Sequence, residues 1–413
     1  MVTKYDVFEA TYTNRHPIKP IEVTKKFKKN ESEYDNIHRL LTELTQEGLL
    51  TKTGYGFQAK KTENSNLLYQ IIHHCLCNDI NYNDLLNPRF ARFVSSALQK
   101  KEITSRNVNL HAVTLRKYLD ILYKNGLLLI ISEKPLRAKV FYNVLLNNLL
   151  VYFGYKHRVI TEDTISYLEE IEKELIKFRK LKRENESKYQ RLISEFEVSF
   201  IHHSLTLEGN PITLNETKRI LKDKVIPANL KSEDIDEVKN YQKALLQMLK
   251  DSYNKNPLTL QTILDYHFLA MQHNSDVAGK IRKIEVHISR NPSFKITRAK
   301  DIEKELEELI KKYNDFIKKK VSLKEILNFA VYFHNEFQHI HPFEDGNSRT
   351  TRLITFHLLQ LKDIPILDIP FGLLDEYLGY TKGARVREDK KLLSNLQKTI
   401  LFNLKKINEK MIQ

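Results

Sequence analysis

Apolar residues recur at helical spacing through most of the chain, and an early example leads directly into a hairpin pattern. In residues 34–44 the apolar side chains fall three or four positions apart, which predicts an amphipathic helix. Gly48 follows where such a helix would end. Residues 49–53 then have the pattern of a strand, residues 54–56 that of a turn, and residues 57–59 that of a returning strand.

The same order of elements returns about 75 residues later. Residues 115–122 have helical spacing, Gly126 follows, and strands are predicted at 127–132 and 140–142 around a turn at Lys134. The segments LLTELTQEGLL and YLDILYKNGLL are also similar in sequence. A helix, a glycine and a β-hairpin form the end of a winged helix-turn-helix, so we predict two such modules, at 1–62 and 63–150.

Basic residues near these elements leave DNA open as a partner. Winged helices usually place the amphipathic helix in the major groove of DNA. They also serve as protein-binding or dimerising modules, so a protein partner or a homodimer is the alternative. The formal net charge is +15, but it is spread along the chain and gives no specificity. The basic residues in question are Lys52, Lys60, Lys61, Arg116, Lys117, Lys134, Arg137 and Lys139.

The second half of the chain is predicted to be almost entirely helical. Residues 163–195 are highly charged but keep an apolar helical stripe, which predicts a connecting helix within 151–195. Residues 282–290 are the exception, because apolar and polar side chains alternate there as in a strand or hairpin. With only 11 Gly and 11 Pro in 413 residues, the fold class is predicted to be mainly α.

Two cysteines and the lack of a long apolar run indicate the compartment. Cys75 and Cys77 are too close in sequence to pair readily, which favours a reducing environment. No apolar run reaches the ~20 residues that a membrane-spanning helix needs. We therefore expect a cytoplasmic protein without a membrane partner.

A short polar loop between two apolar helical segments carries the candidate chemistry. It is HPFEDGNSRTTR, residues 341–352. The first N–H groups of the following helix lack internal partners and favour anions. Gly346 and Asn347 tolerate the backbone conformations that bring such groups together. Arg349 and Arg352 lie three positions apart, on one helix face, and could bind neighbouring phosphates.

Two further residues of the loop complete a site for phosphoryl or nucleotidyl transfer. Asp345 is the carboxylate best placed to hold Mg²⁺ against the phosphates. His341 is suited to remove a proton from an attacking hydroxyl, because a histidine pKa lies near ~6.5. We predict His341 as the general base.

This loop resembles the Fic-family motif H-P-F-x-[D/E]-G-N-G-R-x-x-R at every specified position except one. The resemblance implies a helical Fic core that binds ATP with Mg²⁺ and transfers AMP to a Ser, Thr or Tyr hydroxyl of a target protein. It implies that Phe343 packs in the core, and that Asn347 and its neighbouring backbone hold the phosphates. The residues expected to bind ATP are Gly346, Asn347, Ser348, Arg349 and Arg352.

Ser348 is the departure from the motif, since most members have glycine there. If the position required a positive φ, a serine would be strained. The substitution would then affect nucleotide affinity or rate.

Other segments resemble the family in the expected order. Residues 236–245 are similar to the first core helix, and AGKIR, residues 278–282, is similar to the start of the β-hairpin flap. In the family the flap pairs with an extended target segment. The resemblance therefore implies target contacts at Arg282, Ile284 and Val286. Candidates for stacking on adenine are Tyr377 and Tyr380.

The segment SLTLEGN, residues 204–210, resembles the family's inhibitory signature [S/T]-x-x-x-E-[G/N]. Because it precedes the core, it is similar to the class with an N-terminal inhibitory helix, here near 196–210 within a Fic domain at 196–405. Ser204 and Glu208 are the implied inhibitory residues. A Glu208 carboxylate paired with Arg352 would occupy the place of the ATP γ-phosphate.

Three alternatives remain open at this point. The same site could remove AMP from a modified protein, or transfer another group such as UMP or phosphate. The chain could instead be a DNA-binding transcriptional regulator, or a toxin–antitoxin-like regulator, with a Fic-derived sensor domain. The intact set of chemical residues argues against a degenerate sensor: His341, Asp345, Asn347, Arg349 and Arg352.

Overall fold

The computed structural model describes residues 2–28, 33–156, 165–288, 291, 294–365, 368–381 and 386–413. They fall into two compact units. The first unit comprises Met1–Lys100 and Val144–Val159, and the second comprises Lys101–Asn143 and Ile160–Gln413. The division differs from the predicted boundaries, because residues 101–143 belong to the second unit.

In the described part up to residue 156 the elements are α1 (Lys4–Tyr12), α2 (Pro20–Lys26), α3 (Tyr34–Gln46), β1 (Leu50–Thr53), β2 (Gly56–Ala59), α4 (Glu63–Cys77), α5 (Tyr82–Leu85), α6 (Pro88–Leu98), α7 (Ala112–Lys124), β3 (Leu128–Glu133), β4 (Leu136–Val140) and α8 (Val144–Tyr152).

From residue 165 onward the α-helices are α9 (Leu168–Glu184), α10 (Glu186–Thr206), α11 (Leu214–Lys218), α12 (Ser232–Tyr253), α13 (Leu260–Met271), α14 (Ile302–Ile317), α15 (Leu323–Ile340), α16 (Asn347–Leu361), α17 (Leu374–Tyr380) and α18 (Asp389–Ile412). Short turns of other helix types lie at Arg219–Asp223, Ala299–Asp301 and Phe371–Leu373. The predicted mainly helical class is confirmed. Among the described residues, no helix is both long and apolar enough to cross a bilayer.

The first unit contains the first predicted helix and hairpin. The apolar side chains that were predicted to form one face of an amphipathic helix are buried in α3, including Ile37 and Leu44. Strand β1 pairs antiparallel with β2, with Lys52 opposite Phe57. Gly48 follows α3 with a φ of +76°, a conformation that glycine adopts without strain. These elements are confirmed as predicted, and helices α1 and α2 pack against α3.

The second predicted helix and hairpin, α7 with β3 and β4, pack within the second unit. The returning strand starts at Leu136 rather than at 140, because the turn is only two residues long. Phe141 and Tyr123 both contact the ring of Phe402 in α18, and the Tyr123 hydroxyl donates to Glu409 at 3.0 Å. These buried contacts with α18 explain why residues 101–143 group with the second unit.

The predicted connecting helix is two helices, so that prediction is wrong as a single element. Asn185 leaves the helical conformation with φ −150° and ψ 71°. Its side chain accepts a hydrogen bond from the Lys188 N–H at 3.0 Å, which caps the start of α10. Residues 163 and 164 of the predicted helix lie outside the described residues. Helix α10 continues to Thr206 and thus carries the first part of the predicted inhibitory segment.

The predicted strand at 282–290 is also wrong for the residues that the structure describes. Residues 282–288 have no strand pairing, and 289 and 290 lie outside the described part. The backbone N–H of Arg282 donates to the Pro342 carbonyl at 2.9 Å, within the loop that follows α15. Ile284 is exposed and Val286 only partly buried, so in the described part of this segment the alternation does not mark a strand face packed on the core.

Four buried histidines give the second unit a predicted pH dependence. Burial lowers the pKa of His202 to about 3, and that of His267, His334 and His357 to about 4. The unfolded chain then binds more protons than the folded one below ~6.5. Stability is therefore complete above that pH and falls as the pH drops toward 4. We expect the free energy of unfolding in urea to be lower at pH 5 than at pH 7, by about 2 kcal/mol for each histidine. A flat profile would contradict this.

Candidate active site

His341 ends helix α15 in a left-handed conformation. Its φ is 49° and its ψ is 60°, and its N–H donates to the Phe337 carbonyl at 3.0 Å. The ring Nδ1 lies 3.3 Å from the Gln338 carbonyl oxygen, a contact that a neutral ring makes by donating from Nδ1. In that tautomer Nε2 carries the lone pair, which is the state that a general base requires.

Phe343 anchors the loop in the core, as the resemblance implied. It is fully buried and stacks on His267, with ring centroids 3.6 Å apart. The N–H of Gly279 donates to His267 Nδ1 at 2.9 Å, so His267 Nε2 donates to the Asp345 carbonyl, also at 2.9 Å. Nothing in the sequence singled out His267, because it sits on the buried face of an ordinary amphipathic helix. The structure shows that it supports the loop from α13.

The Asn347 side chain closes the loop upon itself. Its Oδ1 accepts from the Phe343 N–H at 3.0 Å, and its Nδ2 donates to the Phe343 carbonyl at 2.7 Å. The amide is only 3% exposed. The side chain is thus engaged within the loop, and the phosphate binding predicted for Asn347 and its neighbouring backbone stays a prediction.

Gly346 precedes α16 in a left-handed conformation, whereas Ser348 does not need one. Gly346 has a φ of +78°, and its N–H donates to Asp345 Oδ1 at 2.6 Å. Ser348 lies in the first turn of α16 with ordinary helical backbone. The position does not require a positive φ, so Ser348 is not strained there. It differs from the usual glycine only by its side chain.

Replacing Gly346 by Ala should destabilise the protein markedly. A Cβ there would lie 2.9 Å from His267 Nε2 and 2.9 Å from two atoms of Met271. Gly209 offers a matched control, because its φ is +97° but nothing lies within 4 Å of its Cβ position. We expect Gly209→Ala to cost about 1 kcal/mol, and Gly346→Ala about 1–3 kcal/mol more. Urea denaturation measures both, and equal losses would contradict the close approach.

Asp345 presents a carboxylate beside the start of α16. Its side chain is 60% exposed, and Oδ2 lies 3.0 Å from Arg349 Nη2. Mg²⁺ commonly binds through one or two carboxylates together with substrate phosphates. No cluster of three or more metal-binding side chains occurs in the part of the chain that the structure describes.

Arg349 is buried between two carboxylates. It is 3% exposed and forms ion pairs with Asp345 and with Glu237 of α12. Glu237 also accepts from the Asn210 side chain at 2.7 Å. The sequence had placed Glu237 in a family-like helix without a role. It holds the Arg349 guanidinium at the start of α16, in reach of the loop.

Arg352 is held by Ser204 and Glu208, the two residues predicted to be inhibitory. Its Nε donates to the Ser204 hydroxyl at 2.7 Å, and its Nη2 donates to the Ser204 carbonyl at 2.9 Å. The same Nη2 lies 2.8 Å from Glu208 Oε1, and Ser204 donates to the Tyr241 hydroxyl at 2.8 Å. Burial alone would lower the pKa of Arg352, but the Glu208 carboxylate keeps it above the ordinary value.

Tyr377, one of the two residues considered for adenine stacking, is buried beside Arg352. Its hydroxyl is 2.8 Å from His334 Nε2, and burial raises its pKa to about 12. A cavity of about 40 Å³ lies next to these side chains. Such a volume suits water rather than a purine ring. Tyr377 therefore belongs to the buried network of Arg352.

The three residues proposed for the flap differ in exposure. Ile284 is 57% exposed and Val286 is partly exposed, so both could meet a target segment. Arg282 is only 2% exposed, and its guanidinium points at backbone carbonyls of the protein itself. Arg282 is therefore not available to contact a target, contrary to the expectation.

Comparison with known proteins agrees with this arrangement. Residues 257–359 match the model of the Fic/DOC family. The chain contains a Fic/DOC-family domain. The match covers the loop of residues 341–352 together with helices α13 to α15 and most of α16.

Relatives of known name cover only part of the chain. The protein adenylyltransferase Fic of Drosophila willistoni is 27% identical over 207 residues, which are 49% of this chain and 39% of that protein. The protein adenylyltransferase Fic of Nematostella vectensis is 28% identical over 198 residues, 47% of this chain and 45% of that protein. The match thus spans less than half the length of each relative. A Fic domain containing signaling protein from Bacteroides thetaiotaomicron shares the fold, with a TM-score of 0.51 at 20% identity over 59% of this chain and 97% of that one.

Proposed function

We propose that this protein transfers AMP from ATP to a Ser, Thr or Tyr hydroxyl of a target protein. The observation that carries the proposal is the single turn between α15 and α16. It brings His341, Asp345 and the first N–H groups of α16 together, and Arg349 and Arg352 follow in the first two turns of that helix. The names of the relatives support the same activity.

The reaction follows from the position of each group. The target hydroxyl gives its proton to Nε2 of His341 as its oxygen bonds to the α-phosphorus of ATP. The bond from the α-phosphorus to the bridging oxygen breaks, and pyrophosphate leaves. The N–H groups at the start of α16 and the two guanidiniums stabilise the charge on the phosphate oxygens. AMP stays on the target as a phosphodiester.

Mg²⁺ fits the exposed carboxylate of Asp345. A bound Mg²⁺ ion would neutralise charge on the triphosphate and so favour departure of pyrophosphate. Asp345 would then exchange its contact with Arg349 for the cation. Glu237 would continue to hold Arg349, which keeps one guanidinium aimed at the phosphates.

Glu208 supplies the regulation in this proposal. Its carboxylate occupies the Arg352 guanidinium that would otherwise bind the ATP γ-phosphate. ATP bound beside it would take a pose unsuited to in-line attack, so basal transfer is slow. The 2.8 Å ion pair, with Glu208 only 12% exposed, supports this inhibitory role.

Mass spectrometry of the protein product tests the proposed transfer against its alternatives. The Glu208→Gly protein is incubated with ATP and Mg²⁺, and in parallel with UTP. Addition of an AMP group from ATP supports the proposal. Addition of a phosphoryl group or a preference for UTP would replace it with another transfer, and removal of AMP from a modified protein without any addition would indicate the reverse reaction.

A second proposal concerns α7 and its hairpin, which we infer to be a winged helix that contacts DNA. Arg116 and Lys117 are exposed on α7, and Lys134 lies in the hairpin turn. By contrast, Arg39 on α3 pairs with Glu43. Binding of the intact protein to duplex DNA should weaken as salt increases, and an Arg116→Ala, Lys117→Ala double variant should reduce that slope. Binding without any salt dependence would rule out phosphate contacts.

A further inference from the structure

Arg282 is a charged side chain buried almost completely outside the phosphate-binding loop. It is 2% exposed as a residue, and its side chain has no exposure. A buried guanidinium is tolerated only when its donors are satisfied. Its only carboxylate contact among the described residues is Glu285 at 3.6 Å, and Glu285 is 61% exposed. Such an exposed pair contributes little. Other groups must therefore stabilise the buried charge.

Backbone carbonyls provide that stabilisation, and two of them belong to the end of α15. Arg282 Nε donates to the His341 carbonyl at 2.7 Å, and Nη2 lies 3.5 Å from the Ile340 carbonyl. The last carbonyls of a helix lack internal partners and carry partial negative charge. The guanidinium thus caps the helix that ends at the general base of the proposed reaction.

The same guanidinium ties two further segments to this helix end. Nη1 donates to the Ile284 carbonyl at 2.9 Å, and Nη2 donates to the Thr297 carbonyl. The N–H of Thr297 in turn donates to the His339 carbonyl at 3.0 Å. The planar fork of arginine can hold these carbonyls at once, which a lysine ammonium on a flexible stem cannot do.

His341 needs such support because its conformation is unfavourable. A residue other than glycine, asparagine or aspartate in the left-handed region costs roughly 1–2 kcal/mol. The carbonyl of His341 leaves the helix direction at that point and meets Arg282 Nε. The carbonyl of the next residue, Pro342, accepts from the Arg282 N–H at 2.9 Å. One residue therefore fixes the backbone at both His341 and Pro342.

We propose that Arg282 is a positioning residue, which holds His341 in the left-handed conformation that directs its imidazole to the attacking hydroxyl. This inference rests on the proposed function, in which His341 is the general base. It assigns to Arg282 a role within the protein in place of a contact with the target. The phosphate-binding groups of α16 are held separately by His267, Asn347 and Glu237.

Kinetics of Arg282→Met and Arg282→Lys in the Glu208→Gly protein test this role. Misplacing a catalytic group by about 1 Å costs on the order of 100-fold in rate. We expect Arg282→Met to lower kcat by about that factor, and Arg282→Lys to lower it by roughly tenfold, since one or two of the hydrogen bonds can remain. KM for ATP should stay within about threefold, because α16 keeps its own supports. Arg298 is a matched control: it is exposed and pairs with Asp301, so Arg298→Met should leave kcat unchanged.

A second readout does not depend on catalysis. In protein labelled at histidine, the ring signals of His341, assigned by their loss in His341→Asn, should shift in Arg282→Met while those of His357 stay in place. Unchanged His341 signals, or unchanged kcat, would refute the positioning role. A parallel rise in KM for ATP and loss of thermal stability would show that Arg282 only supports the fold. A Glu208→Gly parent that modifies no protein would instead refute the proposed function, and the ring signals would still decide the role of Arg282.

Discussion

Replacing His341 with Asn in the Glu208→Gly protein should lower the rate of AMP transfer by about 100-fold to 10,000-fold. General base catalysis contributes roughly that range. Asn is a suitable replacement because it adopts the left-handed conformation of residue 341 with little strain. The Asn amide cannot accept a proton near neutral pH. The variant therefore loses the general base but keeps the backbone conformation between α15 and α16.

The His341→Asn variant should bind ATP normally and keep its melting temperature. The phosphate-binding N–H groups belong to α16, and Phe343 and Asn347 hold the loop without help from the imidazole. His339→Asn provides the control, because His339 is exposed two residues away. It should transfer AMP at the parental rate. Full activity in the His341 variant would remove the imidazole from the mechanism.

Replacing Glu208 with Gly in the otherwise unchanged protein should raise AMP transfer by about tenfold to 100-fold. A hydrogen bond to a charged group contributes about 1.5–3 kcal/mol, and each 1.4 kcal/mol corresponds to a factor of ten. Losing the carboxylate frees Arg352 for the γ-phosphate of ATP. The substitution should leave the backbone of this segment unchanged, because α10 ends at Thr206, and Arg352 keeps its two hydrogen bonds to Ser204.

Two further variants separate charge from chain flexibility. Glu208→Gln keeps the size of the side chain and removes its charge, so it should raise transfer by a smaller factor. Glu233→Gly introduces glycine at an exposed position in the first turn of α12 and should have no effect. ATP titrations accompany the rates, since the freed Arg352 should also strengthen ATP binding. Equal transfer by the wild-type and Glu208→Gly proteins would show that the ion pair does not restrain the site.

The sequence predicted those elements that are determined by residues close together in the chain. The loop of residues 341–352, the helices on either side of it and both helix–hairpin segments follow from spacing within a few turns. The capping break at Asn185 was missed because the apolar stripe runs on through it. The start of β4 was missed because only strand pairing fixes the length of a hairpin turn.

The residues that sequence reasoning left without a role act across long distances in the chain. Glu237 meets Arg349, and His267 meets the Asp345 carbonyl, only after the helices have packed. Arg282 was assigned to the target surface because the resemblance placed it in the flap. Its burial depends on how Arg282 and Thr297 lie against the end of α15, which no local pattern reports. Long-range packing thus decides which charged residues face solvent.

Label transfer from ATP tests the central claim most directly. The Glu208→Gly protein and the Glu208→Gly, His341→Asn double variant are incubated with Mg²⁺ and ATP that is labelled on either the α-phosphate or the γ-phosphate. Protein-bound label should come from the α-phosphate alone and should be nearly lost in the double variant. Label from the γ-phosphate, or equal α-label in both proteins, would contradict transfer of AMP by the turn that carries His341.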